Sequence, residues 1–299
     1  MPVHWDDVPW ESADHGEGLR WERQRLTPGL SRYRVAAGDR LMPVHVHVDE
    51  EEFAVVLAGG AISWQDGAAF EVGSGDVVLH RPDAEAHTLI AGADGVEALI
   101  FASGSPTGLT LLPRAGVLRV GDRLWPSDVA DAFAAEALGG ALEVPAPAGE
   151  RPSTIGALAG PPVEESRHGR CDMRLQDVGE MLGSTVSGLR RQVIAPGAEG
   201  YPPHAHGAER EVFVVLGGDG AVLLGDDENP VRRGSVVTRP AATRVAHSFV
   251  AGEQALELLS WGTRDPNDVA YYPRSGKVSL RGLGIRFRPE PLDYWDGEP

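Results

Sequence analysis

The chain has one cysteine, Cys171, and one lysine, Lys277, in 299 residues. A single thiol excludes an intramolecular disulfide framework. No apolar run is long enough to span a bilayer. The opening MPVHWDDVPW lacks the basic head and apolar core of a secretion signal. The expected location is cytoplasmic. Cationic side chains are scarce overall: 27 Lys and Arg face 44 Asp and Glu, a formal charge of −17. That balance argues against nucleic acid or an anionic membrane as partner. There is no G-x-S-x-G elbow, no GxxxxGK[ST] phosphate loop, no CxxC pair and no Rossmann glycine fingerprint.

What the chain does have is histidine in a repeated setting. Gly38 is followed by His45, His47, Glu52 and Gly59, then by Gly75, Pro82 and His87. Gly197 is followed by His204, His206, Glu211 and Gly218, then by Gly234, Pro240 and His247. Over the first block the two copies keep one offset of 159 residues: 204 against 45, 206 against 47, 211 against 52, 218 against 59. Six of the ten histidines fall at matched positions, so chance is a poor explanation.

The residue types and their spacing suit a metal ion. Two histidines separated by one residue project from the same face of an extended strand. Glu52 opens FAVVL, a run of strand-like composition, and a turn would return its carboxylate toward the pair. His87 arrives from a later strand introduced by Gly75 and Asp76. Three neutral imidazoles and a carboxylate form a mixed N/O set for Fe, Mn, Ni, Co, Cu or Zn. On an octahedral ion, four protein donors leave two positions open, the mark of a catalytic rather than a closed site. A register slip within the acidic run 49–52 would offer Glu50 or Glu51 instead. The second copy favours Glu52, because only Glu211 holds the equivalent place there.

This pattern resembles the two motifs of the cupin superfamily, and the resemblance covers most of the chain as two repeats, a bicupin. It implies two small antiparallel β-barrels of the double-stranded β-helix or jelly-roll type, all-β and in tandem, each with a metal inside. The implied ligands are His45, His47, Glu52 and His87 in one barrel, and His204, His206, Glu211 and His247 in the other. Ala84 stands where the second motif usually has glycine. The second copy has one residue fewer between Gly234 and Pro240 and two more between Pro240 and His247. His247 is therefore the ligand whose place the pattern fixes least. The stretch from TRDPNDVAYYPRSGKV to DYWDGE resembles the tail of bacterial bicupins. Related barrels often pair through edge strands, so a homodimer is compatible with the resemblance.

Alternating apolar segments punctuated by Gly and Pro support barrels in both halves. We expect an N-terminal barrel over 1–120, a helix-containing linker over 121–180, a C-terminal barrel over 181–263, and a tail over 264–299 that packs on the barrels. Residues 128–144 have helical composition, with Ser127 or Asp128 as N-cap. The Pro-, Gly- and Ala-rich stretch that follows reads as a linker, and the boundary is placed at 145–165.

Arg81-Pro82 and Arg239-Pro240 occupy equivalent places when counted back from the proline, just before the last ligand. Either arginine, pointing inward, would pair with a substrate carboxylate; pointing outward, it would close a rim salt bridge. On this count His80 lies opposite Thr238 and has no counterpart. The basic stretch 264–288 contains Arg274 and Lys277, which could close over a barrel mouth and hold an anion, or simply pack on an acidic body. Tyr201, Trp64 and Trp261 are pocket-wall or core residues. Cys171, with no His or Cys at a useful spacing, reads as inert.

The leading functional expectation is a metal-dependent dioxygenase acting on a small organic molecule, neutral or anionic. Iron is the expected cofactor among divalent transition metals, with up to one ion per barrel. Glu52 and Glu211 would be ligands that can also leave the metal to act as bases. The alternatives are a non-redox isomerase, epimerase or lyase acting on a sugar or oxo acid, and a non-catalytic binding bicupin. The first copy fits the family spacing better and is the expected seat of chemistry.

Overall fold

The computed structural model describes residues 1–16, 18–102, 107–126, 128–129, 131–161 and 163–298. Strands dominate, and two short α-helices, Ala132–Leu138 and Val178–Met181, occur among the described residues. The chain forms two compact units. One is Val3–Val163 with Gln176–Arg191; the other is Met1–Pro2, Glu164–Leu175 and Gln192–Pro299. Each has its own apolar core, and the architecture is the tandem all-β barrel pair read from the sequence.

In the first unit the main sheet runs Ile155–Ala157, Asp76–His80, Glu52–Gln65, His87–Ala102, Leu30–Val35, Arg20–Thr27, Glu11–Asp14. Its alternating inward residues, among them Val56, Val78, Ala98 and Trp21, make the core. Glu52–Gln65 and His87–Ala102 pair along most of their length, which a small barrel permits only if both bend. They bend where Gly59 (φ 74°) meets Gly95 (φ 74°), and the register shifts there. A Cβ on Gly59 would sit 2.1 Å from the Gly95 carbonyl oxygen, so the corner requires glycine. The second unit builds the same corner at Gly218, where a Cβ would lie 2.0 Å from the Ala255 carbonyl oxygen. This is why glycine closes the first block of both copies.

A smaller four-stranded sheet in each unit carries the H-x-H pair. In the first it is Val46–His47, Leu109–Leu112, Val117–Val120 and Arg123–Trp125. In the second it is Ala205–His206, Val269–Tyr272, Lys277–Leu280 and Ile285–Phe287. Thr110 lies opposite His47, and Ala270 lies opposite His206. The duplication thus extends past the motifs: residues 269–287 repeat the topology of 109–125.

The helix expected over 128–144 is shorter, Ala132–Leu138, because Gly139 and Gly140 end it. Its N-cap is Asp131 rather than Asp128, the carboxylate accepting from the backbone N–H groups of Phe133 and Ala134. Ser127, the other candidate cap, lies outside the described residues. Buried Glu136 anchors the helix, paired with Arg40 and Arg114 at 2.9 Å each. The Pro- and Gly-rich stretch after it follows the barrel: the Ala148 N–H donates to the Ala69 carbonyl, and Ile155–Ala157 adds an edge strand beside Asp76–His80. No helix among the described residues is long and apolar enough to cross a membrane.

Candidate metal centres

Each site is assembled by one backbone bridge. His45 and His87 exchange N–H···O bonds of 3.1 and 2.9 Å, and His204 and His247 exchange bonds of 3.2 and 2.9 Å. This pairing brings the last histidine of each copy, distant in sequence, against the first.

In the first unit, ligand atoms of His45, His47, Glu52 and His87 all lie within 4.8 Å of one another. His45 Nε2 is 3.2 Å from His47 Nε2, and His47 Nε2 is 3.3 Å from Glu52 Oε2. His87 Nε2 is 3.8 Å from Glu52 Oε1. The proton positions follow from the other ring nitrogens. His45 Nδ1 donates to the Pro43 carbonyl at 2.8 Å, and His87 Nδ1 donates to the Glu85 carbonyl at 3.1 Å. That leaves both Nε2 atoms bare and aimed at the centre. His87 Nε2 is buried with no hydrogen-bond partner.

In the second unit, His204, His206 and Glu211 meet the same 4.8 Å limit. His247 Nε2 reaches the set through Glu211 Oε2, at 3.0 Å, and His206 Nε2 lies 3.5 Å from that oxygen. His204 Nδ1 donates to the Pro202 carbonyl at 2.8 Å, and His206 Nδ1 donates to Asp268 Oδ2 at 2.6 Å. His247 Nε2 and Glu211 Oε2 are buried without hydrogen-bond partners.

Convergent bare imidazole nitrogens beside an ionised carboxylate are costly to bury unless a cation lies among them. The donor sets therefore fit a divalent transition metal ion. Electrostatics agree. Burial pushes His45 and His204 down to about 4, and His87 well below its ordinary value, so these rings stay neutral and able to coordinate. Burial pushes Glu52 and Glu211 up, but this is outweighed by the close approach of His47 to Glu52 and of His247 to Glu211, and by the surrounding rings, which hold both at about 2. Burial lowers His47 and His206, yet neighbouring carboxylates leave both raised.

The alternative carboxylates of the acidic run are placed elsewhere. Glu51 is fully buried and accepts hydrogen bonds from Ser184 Oγ (2.7 Å), Ser187 Oγ (2.8 Å) and the backbone N–H groups of Thr185, Val186 and Ser187. Glu50 Oε2 lies 4.0 Å from His47 Nδ1, on the ring edge away from the other donors.

The sheet corrects the equivalence of the two Arg-Pro pairs. Glu52 lies opposite His80, and Glu211 lies opposite Arg239. The copies align forward from the glycine, not back from the proline, so the second copy's missing residue is lost after the strand. Arg239 therefore replaces His80, and Arg81 has no counterpart. Opposed residues of an antiparallel pair share a face, which puts both side chains beside the ligand carboxylate. His80 is 4% exposed, stacked on His87 with ring centroids 3.5 Å apart, its Nδ1 bonded to Glu85 Oε1 at 2.8 Å. Arg239 lines a small cavity with His206, Glu211, His247, Thr243 and Val245. Its Nη2 donates to Thr243 Oγ1 and the Val245 carbonyl, while its Nε is buried with no hydrogen-bond partner.

Three other expected substrate contacts are not brought to the donors. Arg81 is exposed. Arg274 is held by both oxygens of Glu199, a carboxylate it shares with Arg170. Tyr201 packs on the second core, its carbonyl accepting from Ser248 Oγ at 2.7 Å. Trp261 is core, with the Arg210 guanidinium 5.0 Å from its ring centroid, and Trp64 Nε1 donates to the Glu143 carbonyl. Cys171 donates only weakly, to Ser166. Residues the spacing did not reveal are Glu85, Asp268 and Tyr272. The Tyr272 ring stacks on His204 at 5.5 Å, with Lys277 Nζ 4.5 Å from its centroid. One clue to Asp268 was available: it and Asp265 are the only acids in the basic stretch 264–288.

Residues 190–262 match the model of the cupin domain. A search of curated proteins finds no match to this chain. Among solved structures, a deletion variant of Bacillus subtilis oxalate decarboxylase superposes with a TM-score of 0.57 at 17% identity, covering 89% of this chain and 77% of that one. The oxalate decarboxylase of the same organism at pH 4.6 gives 0.57 at 19% identity, covering 89% and 76%. A sugar phosphate isomerase, so described only provisionally, from Acidithiobacillus ferrooxidans is 28% identical over 42% of this chain and 83% of its own. Its TM-score of 0.39 is too low to inform the fold. The two decarboxylase superpositions establish the double-barrel fold, and the domain match falls on the second of the two motif copies. Residues 190–262 thus carry a cupin domain, and the chain as a whole has the two-barrel fold of a bicupin.

Proposed function

We propose that this bicupin is a metal-dependent enzyme that cleaves a carbon–carbon bond of a small carboxylate, with the chemistry in the second barrel. The observation that carries the reading is Arg239, a half-buried cation beside the ligand carboxylate Glu211, with a buried, unpartnered Nε in the cavity that holds the donors. A guanidinium there binds a substrate carboxylate by charge-assisted hydrogen bonds. The first barrel fills the same position with His80, stacked on a ligand ring, and leaves less for a substrate to meet. The bound metal would supply a Lewis acid that lowers the energy of charge developing on the substrate.

The residues of the chain supply the rest. His204, His206, Glu211 and His247 hold the ion, and Arg239 orients the substrate by its carboxylate. Tyr272, over His204 with Lys277 beside it, adds a hydroxyl and a positive field on another side. Glu52 and Glu211, held at about 2, are poor bases and serve as ligands. Similarity in fold to oxalate decarboxylases, which act on a small dicarboxylate, favours non-oxidative cleavage. The second reading, a dioxygenase with iron, is favoured by the apolar ring of Phe213, 5.3 Å from His247, which suits an uncharged second reactant such as dioxygen.

The test is turnover of a panel of small mono- and dicarboxylates by protein loaded with Mn, Fe or Co, in air and under argon. Carbon dioxide released under argon supports the first reading, and product that requires oxygen supports the second. If no carboxylate is turned over, and none binds more weakly to Arg239→Ala than to the unchanged protein, the proposal fails.

A further inference from the structure

The two sites also differ at one nitrogen. In the second barrel, His206 Nδ1 donates to Asp268 at 2.6 Å. Asp268 is 3% exposed and fixed on its other oxygen by the backbone N–H groups of Ala208 (2.9 Å) and Glu209 (3.2 Å). A second buried acid, Glu209, stands 3.7 Å from the same nitrogen, but it is already bound by Arg281 and by the Asp265 N–H. In the first barrel, His47 Nδ1 is buried with no hydrogen-bond partner, and Glu50 lies 4.0 Å away.

Strand register shows where the difference arises. Thr110 faces His47 as Ala270 faces His206, so two residues earlier the counterpart of Asp268 is Gly108, which has no side chain. The groups near His47 also differ in sign: Arg119, bonded to Thr110 Oγ1 at 3.3 Å, acts on that ring as a nearby cation.

We propose that Asp268 is a positioning residue for the metal of the second barrel, holding His206 in the Nδ1–H tautomer and strengthening its Nε2 as a donor, a support the first barrel lacks. The inference rests on the metal-binding reading of the two donor sets. A carboxylate behind a ligating imidazole fixes ring orientation and raises basicity, and its loss typically costs about 10- to 100-fold in metal affinity. It follows that the C-terminal stretch is part of the second metal site through one carboxylate.

The test uses Zn(II) alone as probe on the full chain, titrated against a chromogenic chelator. His47→Ala isolates the second site and His206→Ala the first. In the His47→Ala background, Asp268→Asn should weaken Zn(II) binding about 10- to 100-fold, and Asp268→Glu should recover part of the loss. The ligand-field bands of bound Co(II) should shift in Asp268→Asn, a change that mere loss of packing would not produce. In the His206→Ala background, Asp268→Asn should leave first-site affinity unchanged, which also shows that the variant folds. Equal Zn(II) affinity with and without Asp268→Asn in the His47→Ala background would overturn the role of Asp268 alone. Absence of Zn(II) binding in the unaltered chain would overturn both this role and the metal reading beneath it.

Discussion

The two barrels assemble the same donors in the same register and surround them differently. In the first, all three ligand histidines are buried, and His80 lies flat on His87. In the second, His204 and His206 are half-buried, the place of His80 is taken by Arg239, and Asp268 stands behind His206. What repeats is what the barrel needs to bring four donors together: the H-x-H strand, the glycine corner and the bridge between the first and last histidines. What varies is what a substrate would meet. A duplicated barrel can change its chemistry at one sheet position, the one facing the ligand carboxylate, without disturbing coordination.

The largest expected effect separates the sites outright. His47→Ala and His206→Ala should each remove one metal equivalent per chain and leave the other in place, as measured by elemental analysis. Loss of both ions from either variant would show that the sites are not independent.

Next in size is a contrast one residue before the ligand carboxylates. Glu51 is bound by six donors in residues 184–187, whereas its counterpart Arg210 stacks on Trp261. Glu51→Ala would strand those donors in a buried site and should cost on the order of 3 kcal/mol in denaturant unfolding. Arg210→Ala should cost about 1 kcal/mol, the usual worth of a cation–π contact. Equal losses would contradict the asymmetry.

The substrate contrast is sharpened by Arg239→Ala, which should raise KM for a carboxylate about 10- to 100-fold, while Arg81→Ala should leave it unchanged. A KM shift from Arg81→Ala instead would restore the alignment counted from the proline.

The smallest effect is proton linkage in metal-free protein. His45 and His204 titrate at about 4 when folded and His87 well below its ordinary value, against an unfolded value of about 6.5. Between those values the unfolded chain binds more protons, so stability rises with pH across that window and is lost on acidification. The raised values of His47 and His206 act in the opposite sense. The melting temperature should fall from about pH 7 to about pH 5, and bound metal, which keeps protons off the folded donors, should raise it overall and steepen the fall. A flat profile would contradict burial of three neutral rings.

Much of this was legible in the sequence, for definite reasons. H-x-H on a strand fixes a shared face, so His45 with His47 and His204 with His206 could be paired without coordinates. Gly59 and Gly218 were visible as repeated positions, but their cause, backbone carbonyls about 2 Å from any added Cβ, was not. The Arg81–Arg239 equivalence misled because spacing alone cannot say on which side of a strand's end a residue has been lost; strand pairing can. Asp268 lies 62 residues from His206 and joins it only through the pairing of Ala205–His206 with Val269–Tyr272. Such a contact leaves no local pattern. Arg274 and Tyr201 had suitable chemistry, and Glu199 and the second core respectively claim them.

The most direct test of the central claim is metal content per folded chain in protein purified without chelators under anaerobic conditions. Two convergent donor sets predict close to two divalent transition-metal ions per chain, with one lost in His206→Ala. A well-folded chain that carries none, and takes up none on titration with Mn(II), Fe(II), Co(II) or Zn(II), would contradict it.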